Sequence, residues 1–322
     1  MVQKGEKSFM NNVKTQQKSK FTESTLWKQI VRYKFLYLLL LPAVVTSIIF
    51  QYGPMPGIRM AFQDYKALNP SASQWVGLKH FISIFQMPET MTAIKNTMTI
   101  SLLNLVIAYP LTIVFALLLN ELRNAAFKKV VQTISYLPHF LSWISVIGII
   151  TSLYAEHGMI NDLLVKFTGG AWERESLLAK QAFFIPDVLI LSIWKSLGWS
   201  SIVFLAAITG IDQGLYEAAM IDGASKIRRV WHITIPGILP TIMIMLLWKM
   251  AALFADNFEL IFGLQNAYVN VEVIGTYVFK KGIQGGKYDI ATAFGLMQGL
   301  INFSFLLVSN WISKKLTDVG MF

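Results

Sequence analysis

The sequence predicts an all-α membrane protein with six transmembrane helices. Of its 322 residues, 54% are hydrophobic and only 14% are charged, whereas soluble domains carry roughly 25% charged residues. The mean hydropathy is +0.52. A membrane-spanning helix needs about 20 mostly apolar residues, and six stretches of the chain reach or approach that length.

The six predicted spans follow one another with polar segments between them. The segment 53–56, Gly-Pro-Met-Pro, ends the first span. Pro110 lies inside the second, where neighbouring helices can cover a kink, and Pro236 and Pro240 open the fifth, which is the shortest. The predicted spans are residues 35–52, 97–119, 134–153, 187–208, 238–254 and 291–312.

The charge distribution predicts which side of the membrane each segment occupies. The net charge is +10, and the first 34 residues contribute eight basic residues against two acidic ones. A basic tail ahead of a span typically stays in the cytoplasm, and this distribution argues against nucleic-acid binding. With that orientation the inner segments hold sixteen Lys and Arg residues and the outer segments ten. We therefore predict cytoplasmic termini, with a basic tail over residues 1–34 and a membrane domain over residues 35–322.

The sequence excludes several kinds of chemistry. It contains no cysteine, which excludes disulfides, thiolate metal sites and cysteine nucleophiles. No two of its four histidines have the spacing of a metal-binding helix, so we expect no metal site. Residues 282–288 resemble a phosphate-binding loop at first sight, but Lys281 and Tyr288 stand where that loop requires Gly and Ser or Thr. We expect no catalytic residue, no bound cofactor and no enzymatic activity in this chain.

The loop at about residues 210–236 is polar, basic and helix-prone, and it lies between two apolar spans. Asp212 can cap a following helix by accepting a hydrogen bond from its free backbone amides, and we predict a short helix over residues 215–221. Gly223 suits a helix end with a positive φ. A structured loop of this length in a membrane protein usually contacts something, so we predict a docking surface here.

A second, amphipathic helix is predicted after Gly223, lying at the membrane surface. Pro236 is expected to end this helix and to permit a sharp turn into the fifth span. The predicted apolar face consists of Ile227, Val230, Trp231 and Ile235, and the predicted basic face of Lys226, Arg228 and Arg229.

The spacing within this loop resembles the Glu-Ala-Ala motif of permease subunits of binding-protein-dependent ABC importers. That motif is Glu-Ala-Ala, three residues, Gly, nine residues and Ile-x-Leu-Pro. The loop departs from it once, at Ile235, which stands in place of Leu and keeps the apolar character. The matching residues are Glu217, Ala218, Ala219, Gly223, Ile233 and Pro236.

Four further stretches resemble the carbohydrate branch of that family, especially its polysaccharide-type permeases. The similarity covers roughly residues 30–322. The stretches are Leu-Asn-Glu-Leu-Arg at 119–123, Tyr-Leu-Pro-His-Phe at 136–140, Ile-Asp-Gly-Ala at 221–224 and Gly-Met-Phe at 320–322.

The resemblance implies a fold, a mechanism and partners. The implied fold is the type I (MetI-like) importer permease fold, in a bacterial inner or plasma membrane. The loop would form a coupling helix that lies in a groove of a cytoplasmic ATPase subunit. A carbohydrate would arrive on an extracytoplasmic solute-binding protein. This chain would pair with a second, non-identical permease subunit. Two ATPase subunits would associate with this pair and would bind the ATP and Mg²⁺. The coupling residues would be Tyr216, Glu217, Ala218, Ala219, Asp222, Gly223, Ile233 and Pro236.

Two lysines within predicted spans are candidates for the substrate pathway. A charged residue inside the bilayer is costly and usually faces the interior of the helix bundle or water. Lys195 lies beside Trp194 and a turn away from Trp199, and an aromatic face with amine and hydroxyl donors suits a sugar. If Lys249 also lines the route, an anionic sugar such as a uronate would fit.

Other interpretations of these polar residues stay open. The lysines either pair with an acidic neighbour such as Asp256 or Glu259, or snorkel from a misplaced span end. Asn104, Gln298 and Asn302 also lie within predicted spans, where they either line the route or hydrogen-bond neighbouring helices.

Three other functions remain open from the sequence. A permease for another solute, such as an amino acid or a metal, would share the motif. A secondary transporter or channel that works without ATP explains six spans but not the motif spacing, and the chain shows no paired broken helices of an inverted repeat. A membrane enzyme would need a catalytic constellation that the sequence does not contain.

Overall fold

The structure is a computed structural model that describes residues 23–255, 257–269 and 271–317. Contacts divide the chain into two compact units, one ending at Arg59 and one beginning at Met60.

Two short strands, β1 Gln63–Asp64 and β2 Gln74–Trp75, pair antiparallel in the second unit. The α-helices are α1 Glu23–Arg32, α2 Lys34–Ser47, α3 Lys79–Gln86, α4 Pro88–Leu103, α5 Tyr109–Glu121, α6 Ala125–Tyr136, α7 Trp143–Tyr154, α8 Met159–Phe167, α9 Gln181–Thr209, α10 Gln213–Ile221, α11 Lys226–Arg229, α12 Ile235–Ala251, α13 Phe258–Leu264, α14 Ile274–Tyr277 and α15 Tyr288–Thr317.

Shorter helical segments of other types join these α-helices. The π-helical segments are Ile48–Tyr52, Asn104–Ala108, Val230–Thr234 and Val278–Gln284. The 3-10 segments are Met55–Phe62, Pro70–Ala72, Leu137–Phe140 and Leu177–Ala179.

Six helical stretches of the described chain are long and apolar enough to cross a membrane, which confirms the six predicted spans. Each stretch reaches beyond the predicted apolar run at one end or both, because hydropathy marks the lipid-facing middle of a helix rather than its caps. In order, the first to sixth spans are Lys34–Phe62, Pro88–Glu121, Trp143–Phe167, Gln181–Thr209, Lys226–Ala251 and Tyr288–Lys315.

The third span begins later than predicted. The sequence predicts residues 134–153 as one span, but Pro138 has no backbone N–H with which to continue a helix. The chain forms the 3-10 segment Leu137–Phe140 there. The Ser142 hydroxyl then accepts a hydrogen bond from the Ser145 N–H (3.1 Å) and caps a new helix. Because of this break, α6 and α7 are separate helices. Hydropathy alone does not reveal the break, because the region is mostly apolar throughout.

The prediction that Pro236 ends a surface helix is wrong, because the fifth span is helical from Lys226 to Ala251. The residues before α12 form the π-helical segment Val230–Thr234. A π-helical turn takes its residues out of the regular α-helical hydrogen-bond pattern, so the donor that proline lacks is not required at this position. The predicted membrane-surface helix is therefore the beginning of the span itself.

The second unit is organised around the fourth span. One cluster of buried apolar side chains joins this span to the third span and α13, and another joins it to the second and fifth spans. A third cluster packs α3 and α4 against the sixth span. Gly198 lets α6 approach the fourth span closely, since a Cβ atom at this position would lie 2.1 Å from the carbonyl oxygen of Ser135.

The described part of the first unit consists of α1, α2 and the segments that follow as far as Arg59. None of the residues in the most apolar part of the first span is buried. Pro42 lies inside α2, and the Thr46 hydroxyl donates to its carbonyl oxygen (2.9 Å). A helix that is apolar on every side is typical of a membrane span.

Candidate coupling loop and central cavity

The coupling loop, residues 210–236, contains a helix that is capped as the sequence predicts. The backbone N–H of Gly214 donates to Oδ1 of Asp212 (2.9 Å), the residue that precedes α10. This bond satisfies one of the free amides at the start of a helix. The predicted helix over residues 215–221 and its Asp212 cap are therefore both confirmed.

The same helix ends at Gly223, which has a φ of +74°. The N–H of Ala224 donates to the carbonyl of Ala219 (2.8 Å), and the N–H of Gly223 donates to that of Met220 (3.1 Å). This is the hydrogen-bond arrangement of a helix end with one residue in the left-handed region, where glycine is strongly favoured. The predicted positive φ is confirmed, and Asp222 forms the turn that leads to it.

The outer surface of α10 is available to another protein. The helix has no buried residue, and Glu217 and Ala218 are exposed while Ala219 is half-buried. Met220 and Ile221 expose 53% and 87% of their surface. Exposed apolar side chains grouped on a short helix with small residues are typical of a protein–protein contact.

The inner side of α10 is tied to the fifth span. The Tyr216 hydroxyl and the Thr234 hydroxyl lie 2.9 Å apart, and Thr234 is only 2% exposed. At the start of the loop Ile211 packs against the fifth span so closely that a Cβ atom on Gly237 would lie 2.7 Å from Cδ1 of Ile211. The coupling loop is thus bonded to and packed against the fifth span.

The second half of the predicted coupling set lies within the fifth span rather than on α10. Ile233 is half-buried in the π-helical segment, and Pro236 is exposed near the start of α12. Lys226, expected to point away from the apolar face, instead forms an ion pair with Glu121 at the end of the second span (3.2 Å). Lys226 and Val230 share a groove because they lie four residues apart on one helix face.

A cavity of about 470 Å³ lies between the second, fourth and fifth spans and the segment before the third. Both lysines that the sequence selects for a substrate pathway, Lys195 and Lys249, line it. Apolar walls come from side chains such as Leu105, Val188 and Leu253. The remaining polar and aromatic lining residues are Ser101, Asn104, His139, Trp143, Ser192, Ser196 and Asn257.

The Lys195 amine is held by backbone carbonyl groups. Nζ donates to the carbonyl oxygen of His139 (3.1 Å) and to that of Leu141 (2.6 Å), and it lies 4.9 Å from the centre of the Trp143 ring, within cation–π range. Among the described residues Lys195 forms no ion pair with Glu259, and Asp256 lies outside the described residues. This lysine therefore secures the break between α6 and α7.

The Lys249 side chain has a different environment. It is exposed, it lines the cavity, and it makes no hydrogen bond or ion pair with any described residue. It lies in the last turn of α12, where a cation is favoured by the exposed carbonyl end of the helix.

The two tryptophans that the sequence places beside Lys195 do not line this cavity. Trp194 and Trp199 are 45% and 44% exposed. The Trp199 ring stacks parallel to the His139 ring, with 4.5 Å between the ring centres. Trp199 therefore packs against His139, a residue of the cavity lining, without lining the cavity itself.

The polar residues of the second and sixth spans have separate roles. Asn104 lines the cavity, and its Nδ2 donates to the Ile100 carbonyl in its own helix (3.0 Å). In the sixth span, Oδ1 of Asn302 accepts from the Phe254 N–H (3.0 Å), and Nε2 of Gln298 donates to the Phe254 carbonyl (2.5 Å). Gln298 and Asn302 thus hold the turn that follows the fifth span, in keeping with bonding between neighbouring helices.

Residues 108–318 match the protein family described as "Binding-protein-dependent transport system inner membrane component". The chain belongs to this family. The permease is therefore a multi-pass protein of the bacterial inner membrane, and the importer permease fold expected from the sequence is confirmed. The orientation of its termini stays a prediction.

Named relatives and solved structures resemble the permease over nearly its whole length. It is 40% identical over 298 residues to the polygalacturonan/rhamnogalacturonan transport system permease protein YteP of Bacillus subtilis (strain 168), with 91% of this chain and 92% of YteP covered. Protein LplB of the same organism is 38% identical over 295 residues, with 90% and 92% covered. A chain of a bacterial alginate ABC transporter, crystallised with an alginate pentasaccharide-bound periplasmic protein, superposes with a TM-score of 0.82 at 38% identity, covering 92% of the permease and 99% of that chain.

Three residues of these sites were missed by the sequence reasoning. Thr234 occupies the variable position of the Ile-x-Ile-Pro segment, so its pattern gives no sign of the bond to Tyr216. His139 belongs to the stretch at 136–140, which resembles the carbohydrate branch of the family but does not indicate that His139 lines a cavity. Glu121, in the stretch at 119–123, pairs across the bundle with a residue 105 positions later in the chain, which spacing cannot reveal.

Among the described residues, no group of three His, Asp or Glu side chains could hold a metal ion. The expectation that this chain binds no cofactor remains a prediction.

Proposed function

We propose that the permease carries a carbohydrate through the bacterial inner membrane as part of an ATP-driven importer. A solute-binding protein delivers the carbohydrate at the outer surface, and two cytoplasmic ATPase subunits hydrolyse ATP with Mg²⁺. A second, non-identical permease completes the pathway through the membrane. The permease itself carries out no chemical step.

The geometry of the coupling loop carries this proposal. An exposed helix with an apolar surface, α10, ends at the left-handed Gly223 and is bonded by Tyr216 to the buried Thr234. Such a helix can lie in a groove of an ATPase subunit while its inner side stays attached to a membrane span. Closure of the two ATPase subunits would then shift the permease pair between two arrangements by a rigid-body movement.

The residues of the Glu-Ala-Ala motif divide into two groups in this proposal. Glu217 and Ala218 face outward, where the carboxylate can pair with a basic residue of the ATPase and the small alanine permits close approach. The other motif and loop residues set the shape and attachment of the helix; they are Tyr216, Ala219, Asp222, Gly223, Ile233 and Pro236.

The carbohydrate class is supported by the relatives and by the cavity. YteP is named for polygalacturonan and rhamnogalacturonan transport, and a permease 27% identical to this chain is named for arabinooligosaccharides. The cavity combines hydroxyl and amide groups with the face of Trp143. Sugar hydroxyl groups need hydrogen-bond partners, and sugar rings pack on aromatic faces.

Copurification tests the proposed coupling. The permease is purified from its native membrane in mild detergent, and the ATPase that accompanies it is quantified. Glu217→Lys is expected to reduce the recovered ATPase several-fold, because it places a cation where the proposal needs an anion. Glu173→Lys provides a matched control, since Glu173 is exposed and lies outside the coupling loop. Transport of the sugar by this chain alone in liposomes, without ATP, would refute the proposal.

A further inference from the structure

The two lysines of the central cavity have surroundings so different that the structure assigns them different roles. We propose that Lys249 selects for a carboxylate group on the transported saccharide, whereas Lys195 is a positioning residue that holds the cavity wall. This inference rests on the proposed import of a saccharide.

The hydrogen-bonding capacity of Lys195 is largely used within the protein. An ammonium group has three N–H donors, and Lys195 directs two of them to the carbonyl oxygens of His139 and Leu141. The Trp143 ring covers part of the remaining surface of the cation. A carboxylate that approached Lys195 would have to displace these partners, so this lysine is a poor site for a passing anion.

Among the described residues no partner holds the Lys249 amine, which leaves its donors for an incoming anion. Within the described residues it makes no hydrogen bond or ion pair, and its side chain is exposed beside Ala252 and Ala255 in the cavity lining. Hydrogen bonds between a charged donor and a carboxylate are roughly twice as strong as neutral ones. A saccharide carboxylate would therefore gain at Lys249 an interaction that a neutral sugar cannot make.

The charge of the cavity has one sign among its described lining residues. Lys195 and Lys249 contribute positive charge, His139 is the remaining titratable group, and the described lining contains no Asp or Glu. A recess with charges of one sign and low-dielectric walls concentrates ions of the opposite sign.

The polar lining keeps part of its hydrogen-bonding capacity for the sugar hydroxyls. The Ser196 hydroxyl donates to the Ser192 carbonyl (2.6 Å) but can still accept a bond. The Asn257 Oδ1 accepts from the Leu260 N–H (3.4 Å), which leaves the amide N–H groups of this residue as donors.

Transport by lysine variants tests this division of roles. The complete importer, with its solute-binding protein, is reconstituted in proteoliposomes, and ATP-dependent uptake is measured for trigalacturonate and for its carboxyl-reduced, neutral counterpart. Lys249→Met is expected to lower trigalacturonate uptake about tenfold or more, the loss for a hydrogen bond to a charged group. Lys249→Arg, which keeps the charge, is expected to retain most of the uptake.

Lys195→Met is the matched control, because it removes the same charge from the same cavity. It is expected to lower the thermal stability of the complex and, because only the longer-range charge effect is lost, to change the ratio of acidic to neutral uptake much less than Lys249→Met does. The proposal is overturned if Lys249→Met leaves trigalacturonate uptake within twofold, if Lys249→Arg fails together with Lys249→Met, or if the unsubstituted importer prefers the neutral trisaccharide. An importer whose ATP hydrolysis is not stimulated by the loaded binding protein would instead overturn the proposed function, and this inference with it.

Discussion

The Tyr216 hydroxyl lies 2.9 Å from the Thr234 hydroxyl, so that the helix of the coupling loop is bonded to the π-helical segment of the fifth span. Thr234 is almost fully buried and Tyr216 is half-buried, and a hydrogen bond in such surroundings is electrostatically stronger than one in water. The link joins the helix that we propose docks on the ATPase to a span that lines the cavity.

Removal of this link is expected to uncouple ATP hydrolysis from transport. Tyr216→Phe and Thr234→Val each remove a hydrogen bond that contributes about 1 kcal/mol, so the amount of saccharide imported per ATP hydrolysed should fall about fivefold. Both quantities are measured on the reconstituted importer. The double variant should be no worse than either single variant, because one bond is lost in all three.

Tyr268→Phe is the control for this experiment, since Tyr268 is 80% exposed and lies far from the coupling loop in sequence. An equal loss of ATP hydrolysis and import in Tyr216→Phe would show that the bond only stabilises the fold.

Substitution of Gly223 is expected to weaken coupling through the backbone. Its φ of +74° costs an L-residue with a side chain about 1–2 kcal/mol, so Gly223→Ala should distort the end of α10 and reduce the copurifying ATPase. Gly210→Ala in the same loop is the comparison, because Gly210 has a φ of −82° and tolerates a Cβ atom. If both variants retain the ATPase equally, the shape of the helix end does not matter for docking.

A methyl group at Gly198 is expected to destabilise the permease. The added Cβ atom would lie 2.1 Å from the Ser135 carbonyl oxygen, a backbone atom that can move only with α6. We expect a cost of about 1–3 kcal/mol, visible as a lower melting temperature in detergent. Gly295→Ala in the sixth span should be neutral or stabilising, since no atom lies within 4 Å of its added Cβ and alanine favours helix.

The absence of cysteine in the chain makes the predicted orientation directly testable. Leu68 is fully exposed between β1 and β2, and Met220 is 53% exposed on α10. With cytoplasmic termini, a membrane-impermeant maleimide should label Leu68→Cys in intact spheroplasts. It should label Met220→Cys only in inverted vesicles, prepared from cells that express the permease without the ATPase that would cover α10. The reverse labelling pattern would show that the charge count assigned the wrong side.

Regular features of the fold follow from local sequence. The six spans follow from hydropathy because a bilayer demands about 20 apolar residues for each helix. The Asp212 cap and the Gly223 turn follow from chemistry confined to three or four neighbouring residues. Each of these features depends on an interaction whose two partners are close in the chain, which is where sequence reasoning is strongest.

The features that the sequence did not reveal depend on tertiary contacts, or on whether the local backbone requires the N–H group that a proline lacks. Pro236 looks like a helix end, but the π-helical turn before it removes the need for its missing donor. Pro138 does end a helix, within an apolar run that gives no other sign of a break. Of the residues predicted for the substrate pathway, the two lysines line the cavity and the two tryptophans do not. The carbonyl partners of Lys195 lie more than 50 residues away in the chain, so the sequence gives no sign of them.

The uninterrupted helix from Lys226 to Ala251 makes the fifth span a lever. Thr234 and Lys249 are fifteen residues apart on it, which corresponds to about 22 Å along a helix axis. A tilt of about 10° at the Thr234 end would displace the Lys249 end by roughly 4 Å. A rod of this length converts a small angular change at the coupling-loop end into the relocation of a charge by more than the length of a hydrogen bond.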